Sequence, residues 1–261
     1  MIVVDGLALD QWVVIKGVLS SQRPGFILRE SAVFAWIPTI TSVSRQATFA
    51  GKPPLYFPSS IHSTDKEPSR WSQFWAEQGL TPQEVGYCKG LDASDLGIVT
   101  EIVGHPSICA VGLVVDKVDR IMHGRELGAA GMYNQTRQWA EEGYLTQLLD
   151  LLLEHGFQVA ITSDHGNIEA IGMGRPSEGA LADSRGERAR VYSDSGLRAG
   201  VKKMFPEAIE WPPIGLPVDF LPLLAPGRQA FSREGSRIIA HGGISIEEIV
   251  VPLVTVEREA S

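Results

Sequence analysis

The stretch Phe157-Gln158-Val159-Ala160-Ile161-Thr162-Ser163-Asp164-His165-Gly166 decides how this chain is read. Its first six residues have the length and apolar character of a buried strand. At the exit an acid and an imidazole stand side by side, and both are ordinary ligands of zinc and similar divalent ions. Strand ends are where α/β sheets place their chemistry. Asp-His-Gly alone is a short motif with a bland alternative, a polar strand-to-loop turn. Its weight comes from what the rest of the chain sets beside it.

Similar apolar runs recur: Ile2-Val3-Val4, Ala32 to Ile37 closed by Pro38, the end of Ser107 to Val115, Arg237 to Ala240, and Ile249 to Val254. Between them lie amphipathic segments. Helical spacing predicts a helix over Asn134 to His155, stopped by Gly156, and another over Pro68 to Gln78. In the latter, Trp71, Phe74 and Trp75 form a stripe that reads as core packing rather than a base-stacking platform. A third helix is expected from Thr41 to Ala50, closed by Gly51. Alternating strands and helices of this kind predict an α/β fold, with a mostly parallel central sheet flanked by helices. Lys52 to Pro106 is less regular and reads as a cap inserted over the sheet. Gly172 to Arg190 is polar and reads as a mobile loop.

With 261 residues, the chain has room for one large α/β domain or two small ones, and residues 1–261 are read as one. The net charge of −8 argues against a broadly basic nucleic-acid surface. It leaves room for a phosphate site whose positive charge comes from metal ions. No run approaches the roughly 20 apolar residues that span a bilayer, and Met1 to Asp5 does not read as a signal peptide. Cys88 and Cys109 are too few for a disulfide scaffold and are expected to be reduced, small and buried. The cytoplasm is the expected compartment.

Five of the apolar runs lead to a residue able to bind metal or attack phosphorus: Asp5, Thr41, Asp119 with His123, Asp164 with His165, and His241. If the strands are parallel, all five ends share one edge of the sheet. Asp119 and His123 are four apart, so one helical turn puts them on one face. Thr41 stands at a helix start, where unpaired N–H groups favour a phosphate and a hydroxyl beside a metal can become a nucleophile. Each piece has a plain alternative: Thr41 as an N-cap, Asp119 as a solvated charge, Asp5-Gly6 and His241 as turns. Joint occurrence in order along one chain favours the site. His62, His105 and His155 lack such context and read as surface or packing residues.

The ordered set resembles the alkaline phosphatase superfamily, and within it the PglZ domain of bacterial phage-exclusion (BREX) systems. The matching stretches are Ile2 to Gly6, Pro38 to Arg45, Asp116 to His123, Thr162 to Asn167, Arg188 to Tyr192, His241 to Ser245 and Glu247 to Pro252. The resemblance implies one metal on Asp119, His123 and His241, and a second on Asp5, Asp164, His165 and the Thr41 hydroxyl. Zinc is favoured for both and manganese is the alternative. It implies a phosphoric ester hydrolase, a phosphodiesterase more than a monoesterase, working through a phospho-threonine at Thr41. The substrate would be a phosphate ester such as a nucleotide or nucleic acid. Arg45, one turn beyond Thr41, is expected to face the phosphate, and Arg188 and Arg190 are candidate substrate contacts. The expected partners are other phage-exclusion proteins, and no membrane. The competing reading is a non-catalytic assembly module of such a complex. The Cys-x-Pro-x-Arg signature of sulfatases is absent, as is the nucleophile segment of metal-dependent phosphoglycerate mutases. Proteins of the PglZ type are generally longer, so the chain reads as an excised catalytic domain or a minimal version.

Overall fold

The computed structural model describes residues 1–92, 96–124, 128–176 and 186–259. In chain order the elements begin with β1 (Ile2–Val4), α1 (Leu9–Gln22), β2 (Phe26–Phe34), α2 (Thr41–Ala50), α3 (Glu67–Glu77), β3 (Val85–Leu91) and α4 (Gly97–Gly104). Next come β4 (Ala110–Val115), α5 (Lys117–Gly124), α6 (Gly128–Glu141), α7 (Tyr144–Glu154), β5 (Val159–Thr162) and β6 (Ile168–Gly172). The chain continues with β7 (Ala189–Tyr192), α8 (Ser195–Met204), β8 (Ile209–Glu210), β9 (Leu221–Leu224), β10 (Gln229–Ala230), β11 (Arg237–Ala240), α9 (Ile246–Ile249) and β12 (Val250–Arg258).

The central sheet has six strands in the order β2-β12-β5-β1-β4-β3. β3, β4, β1 and β5 pair in parallel, whereas β12 runs antiparallel to both β5 and β2. The sheet is therefore mixed, with one reversed strand. The exits of β1, β2, β4 and β5 still share one edge, because β2 and β5 both oppose β12. Pro252 is tolerated inside β12 because pairing with β5 begins one residue later, at Leu253.

Short β-branched runs make this sheet because both faces are covered. Ile2, Val4, Leu113 and Val115 point into the large core shared with Trp12, Trp139 and Leu148. Val3 and Val114 point the other way, against Phe49 and Trp71. That is the period-two alternation of a strand buried on both sides. Gly112 is small for a packing reason: a Cβ there would sit 2.9 Å from the Phe49 ring and 3.0 Å from Trp71 Nε1.

Several expectations change. The strand expected at Ala32 to Ile37 is the end of β2, which starts earlier and stops at Phe34. The long helix expected from Asn134 to His155 is two helices, broken at Gly143 with φ +81°. Within residues 52–106, β3 is the edge strand of the central sheet and α3 supplies Trp71 to its core. Arg237 to Ala240 forms β11, which lies outside the central sheet and pairs antiparallel with β6. Of the loop expected over Gly172 to Arg190, residues 177–185 lie outside the described residues, while Gly172 ends β6 and Ala189 opens β7. Cys109 is exposed and Cys88 half-buried, and both are free thiols. His62, His105 and His155 are exposed, as expected.

Candidate metal centre and nucleophile

The exits of β1, β4 and β5 place Asp5, the α5 pair Asp119 and His123, and Asp164-His165 along one rim. His241 arrives from β11, in a different sheet, and closes the group. Two clusters result: Asp119, His123 and His241 in one, and Asp5, Asp164 and His165 in the other, with ligand atoms within 4.8 Å of one another in each. The His165 and His241 rings stack at 4.1 Å, so the clusters are neighbours.

The loops are built to aim these atoms. Asp164 Oδ1 accepts the backbone N–H of Gly6 and of His165 at 3.1 and 3.0 Å. Gly6 turns with φ +72°, a conformation that suits glycine. The Ser163 hydroxyl lies within reach of the carbonyls of Val4 and His165, to either of which its one hydrogen can be donated, and accepts from the Leu7 N–H, tying the β5 exit to the β1 exit. His165 Nδ1 faces the Gly166 carbonyl at 2.9 Å and His241 Nδ1 faces the Thr39 carbonyl at 2.9 Å. A neutral ring that donates there from Nδ1 presents its Nε2 lone pair, the form that binds metal.

Among the buried side-chain atoms that lack a hydrogen-bond partner are Asp5 Oδ1, Asp164 Oδ2 and His241 Nε2. Buried polar atoms seldom go unsatisfied, and these three are each a ligand atom of a cluster. His165 Nε2 lies 3.8 Å from both Asp5 Oδ1 and Asp164 Oδ2. Zinc bonds of roughly 2.0 Å at tetrahedral angles set ligands about 3.3 Å apart, so inward shifts of a few tenths of an ångström would close the set on an ion. The donors present therefore fit a divalent metal.

The electrostatics point the same way. Burial, with the Asp5 charge beside it, pushes the Asp164 carboxyl well above the ordinary range. Burial raises Asp5 as well, and the opposing pull of Arg45 does not cancel it. Burial and the nearby His241 hold His165 well below its usual value, so the ring is neutral. Burial would raise Asp119 too, but its hydrogen bond to His123 and the surrounding imidazoles bring it down to about 2. Clustered carboxylates that resist ionisation are short of positive charge, which a bound divalent ion supplies.

Thr41 is the first residue of α2, and its Oγ1 lies 3.0 Å from His165 Nε2. Helix and cap form as expected, with Gly51 at φ +59° ending the helix. The three candidate substrate-contact arginines are all buried. Arg45 is buried and turns to Asp5 and Glu67, not outward to a phosphate. Arg188 is buried in an ion pair with Glu248 at 2.9 Å. Arg190 is buried against the carbonyls of Ala189 and Phe231. Both are internal supports, drawn in by carboxylate and carbonyl acceptors.

Other residues of the site carried no sequence signal of their own. Ser44 donates to the Asp164 carbonyl at 2.5 Å, and Thr39 bridges the Gly243 carbonyl and the Gly242 N–H. Glu248 accepts from Gly243 and Ser245 N–H groups and so holds the loop after His241. Only this last was visible in principle, because Ser245 and Glu248 have the spacing of a capping box.

Residues 1–256 match the model of the BREX system PglZ alkaline phosphatase-like domain. The chain belongs to the PglZ family. No curated protein sequence matches this PglZ domain. Among solved structures it is similar to murine ectonucleotide pyrophosphatase/phosphodiesterase 5, an inactive threonine-to-alanine variant in complex with AMP. That match has 11% identity and a TM-score of 0.64, and covers 100% of this chain and 88% of that one. The human ectonucleotide pyrophosphatase/phosphodiesterase 5 gives 13% identity and a TM-score of 0.61, covering 97% of this chain and 86% of that one. Phosphonoacetate hydrolase from Sinorhizobium meliloti 1021, in complex with phosphonoacetate, gives 13% and 0.52, covering 97% and 88%. At such identities the likeness shows the fold, which is alkaline-phosphatase-like. No helix among the described residues is long and apolar enough to cross a membrane.

Proposed function

We propose that this PglZ domain is a two-metal phosphoric ester hydrolase, cleaving phosphodiesters in preference to monoesters through a covalent phospho-threonine at Thr41, in a phage-defence system. The observation that carries the reading is the Thr41 hydroxyl 3.0 Å from His165 Nε2, beside a cluster with unpartnered carboxylate oxygens. An assembly module would need neither. Family membership supports phosphate chemistry, and the neighbour inactivated by a threonine-to-alanine change, with AMP bound, supports a threonine and a nucleotide-like ester.

Asp119, His123 and His241 would hold one ion, and Asp5, Asp164, His165 and Thr41 Oγ1 the other. Such ions supply positive charge that lowers the pKa of a hydroxyl or water and offsets charge on phosphoryl oxygens. Three imidazoles favour zinc, and the same set would accept manganese.

Thr41 gives up its proton to water and its Oγ1 attacks phosphorus; the new O–P bond forms as the bond to the leaving oxygen breaks, and that oxygen departs with the electron pair. Water then attacks the same phosphorus, the bond to Thr41 breaks, and the hydroxyl is restored. The unpaired N–H groups at the start of α2 add partial positive charge for the phosphoryl oxygens. Asp164, pinned by two backbone N–H groups, and His165, pinned by the Gly166 carbonyl, keep the site in register with Thr41.

The test is hydrolysis of bis- and mono-(p-nitrophenyl) phosphate with zinc or manganese. The parent is expected to cleave the diester faster, and Thr41→Ala to cleave neither. Both esters intact at every metal loading, or Thr41→Ala as fast as the parent, would contradict the reading.

A further inference from the structure

Arg45 lies one helical turn beyond Thr41 on α2 and is buried with 5% of its surface exposed. Its guanidinium is held from two sides: Nη1 donates to Asp5 Oδ2 at 2.5 Å and Nε donates to Glu67 Oε1 at 2.9 Å. Asp116 Oδ1 stands 4.0 Å from Nη1. Glu67 is fully buried, and its second oxygen accepts the Tyr87 hydroxyl at 2.6 Å. One chain of contacts thus runs from β3 through α3 and α2 to the exit of β1.

Asp5 is left with its two oxygens in different states. Oδ2 is taken by Arg45, while Oδ1 is buried without a partner and lies 3.8 Å from His165 Nε2. A carboxylate that is free to rotate can offer an ion either oxygen or both. A guanidinium locked by two charge-assisted hydrogen bonds removes that freedom, and its planar fork does so in a way a lysine ammonium cannot.

We infer that Arg45 is a positioning residue of the Asp5–Asp164–His165 site: a fixed internal cation that commits Asp5 to one-oxygen ligation, itself held in place by Glu67 and Tyr87. The inference rests on the two-metal reading above. Its charge also offsets part of the repulsion among Asp5, Asp164, Glu67 and Asp116, which crowd the same rim.

The test is calorimetric titration with zinc, and separately with manganese, of the parent, Arg45→Lys and Tyr87→Phe, with each variant repeated in an Asp119→Asn background where only the Asp5 site remains. Outer partners of metal ligands typically cost about 10–100-fold in affinity when changed. Arg45→Lys is expected to weaken the Asp5 site by that factor, and Tyr87→Phe by roughly 10-fold, with the Asp119 site unchanged. Tyr87 touches no ligand, so Tyr87→Phe serves if Arg45→Lys does not fold. Unchanged affinity for the second ion in both variants, or equal weakening of both ions, would overturn the inference. A parent that takes up no ions would overturn the two-metal reading itself, and is told apart because the failure then lies in the parent.

Discussion

Thr41 Oγ1 lies 3.0 Å from His165 Nε2 across 124 positions of sequence. Two local features bring them together. β2 and β5 exit on the same edge because both run opposite to β12. Ser44, one turn into α2, then donates to the Asp164 carbonyl at 2.5 Å and fixes the helix start against the β5 exit.

Replacing Thr41 by Ala is expected to lower diester hydrolysis by at least about 10³-fold, the scale on which loss of a covalent nucleophile is felt. Thr41→Ser keeps the oxygen and is expected to retain measurable turnover. Steady-state rates with metal-saturated protein check both. The thermal midpoints should move little, since Thr41→Ser removes only a methyl group and Thr41→Ala a methyl group and a hydroxyl.

Metal removal is expected to destabilise the fold. Free ion at 100 times its Kd stabilises by about 2.7 kcal/mol per site, which for a chain of this size corresponds to several degrees in Tm. Scanning calorimetry with and without a chelator measures the difference. Asp164→Asn should shrink that chelator-sensitive shift to about half and lower the metal content from two ions to one per chain.

Glu248 and Arg188 form an ion pair with both side chains at 1% exposure or less. Removing one partner of such a pair costs about 3–5 kcal/mol, because the other charge is left buried. Glu248→Gln is expected to fall in that range by urea denaturation. Glu248 also holds the Gly243 N–H at 2.7 Å, so the variant should lose affinity at the Asp119–His123–His241 site before it loses the other ion.

Gly166 has no room for a side chain: a Cβ would lie 2.0 Å from the Glu247 carbonyl oxygen and 3.2 Å from Ala8 Cα. Gly166→Ala is expected to cost about 1–3 kcal/mol in overpacking and to shift His165, with loss of the second ion. Gly17 in α1 is the contrast, since a Cβ there meets nothing within 4 Å. Gly17→Ala should be stabilising by up to about 1 kcal/mol. Denaturation midpoints of the two variants should move in opposite directions.

The proposed metal ligands and nucleophile are legible in the sequence because each stands at a strand exit or one helical turn past one. Asp5, Asp164 and Asp119 with His123 follow apolar runs whose ends can be read locally. Their supports were not legible. Glu67 and Tyr87 reach Arg45 through tertiary contacts that no local pattern encodes. β3 was missed because Val85-Gly86-Tyr87-Cys88-Lys89-Gly90 shows no clean alternation; Gly86 is small so that Ile102 can pack, a Cβ falling 2.5 Å from its Cγ2. From the sequence, His241 stands at the end of a strand expected in one parallel sheet. It reaches the same place from β11 of a separate, mixed three-stranded sheet, so the position of this proposed ligand is legible where its route is not.

The most direct test of the phospho-threonine mechanism is to quench the metal-loaded protein in acid during turnover of bis-(p-nitrophenyl) phosphate and to map the covalent adduct by peptide mass spectrometry. The expected result is a p-nitrophenyl phosphoryl group on Thr41. An adduct on another residue, or turnover that persists undiminished in Thr41→Ala, would contradict it.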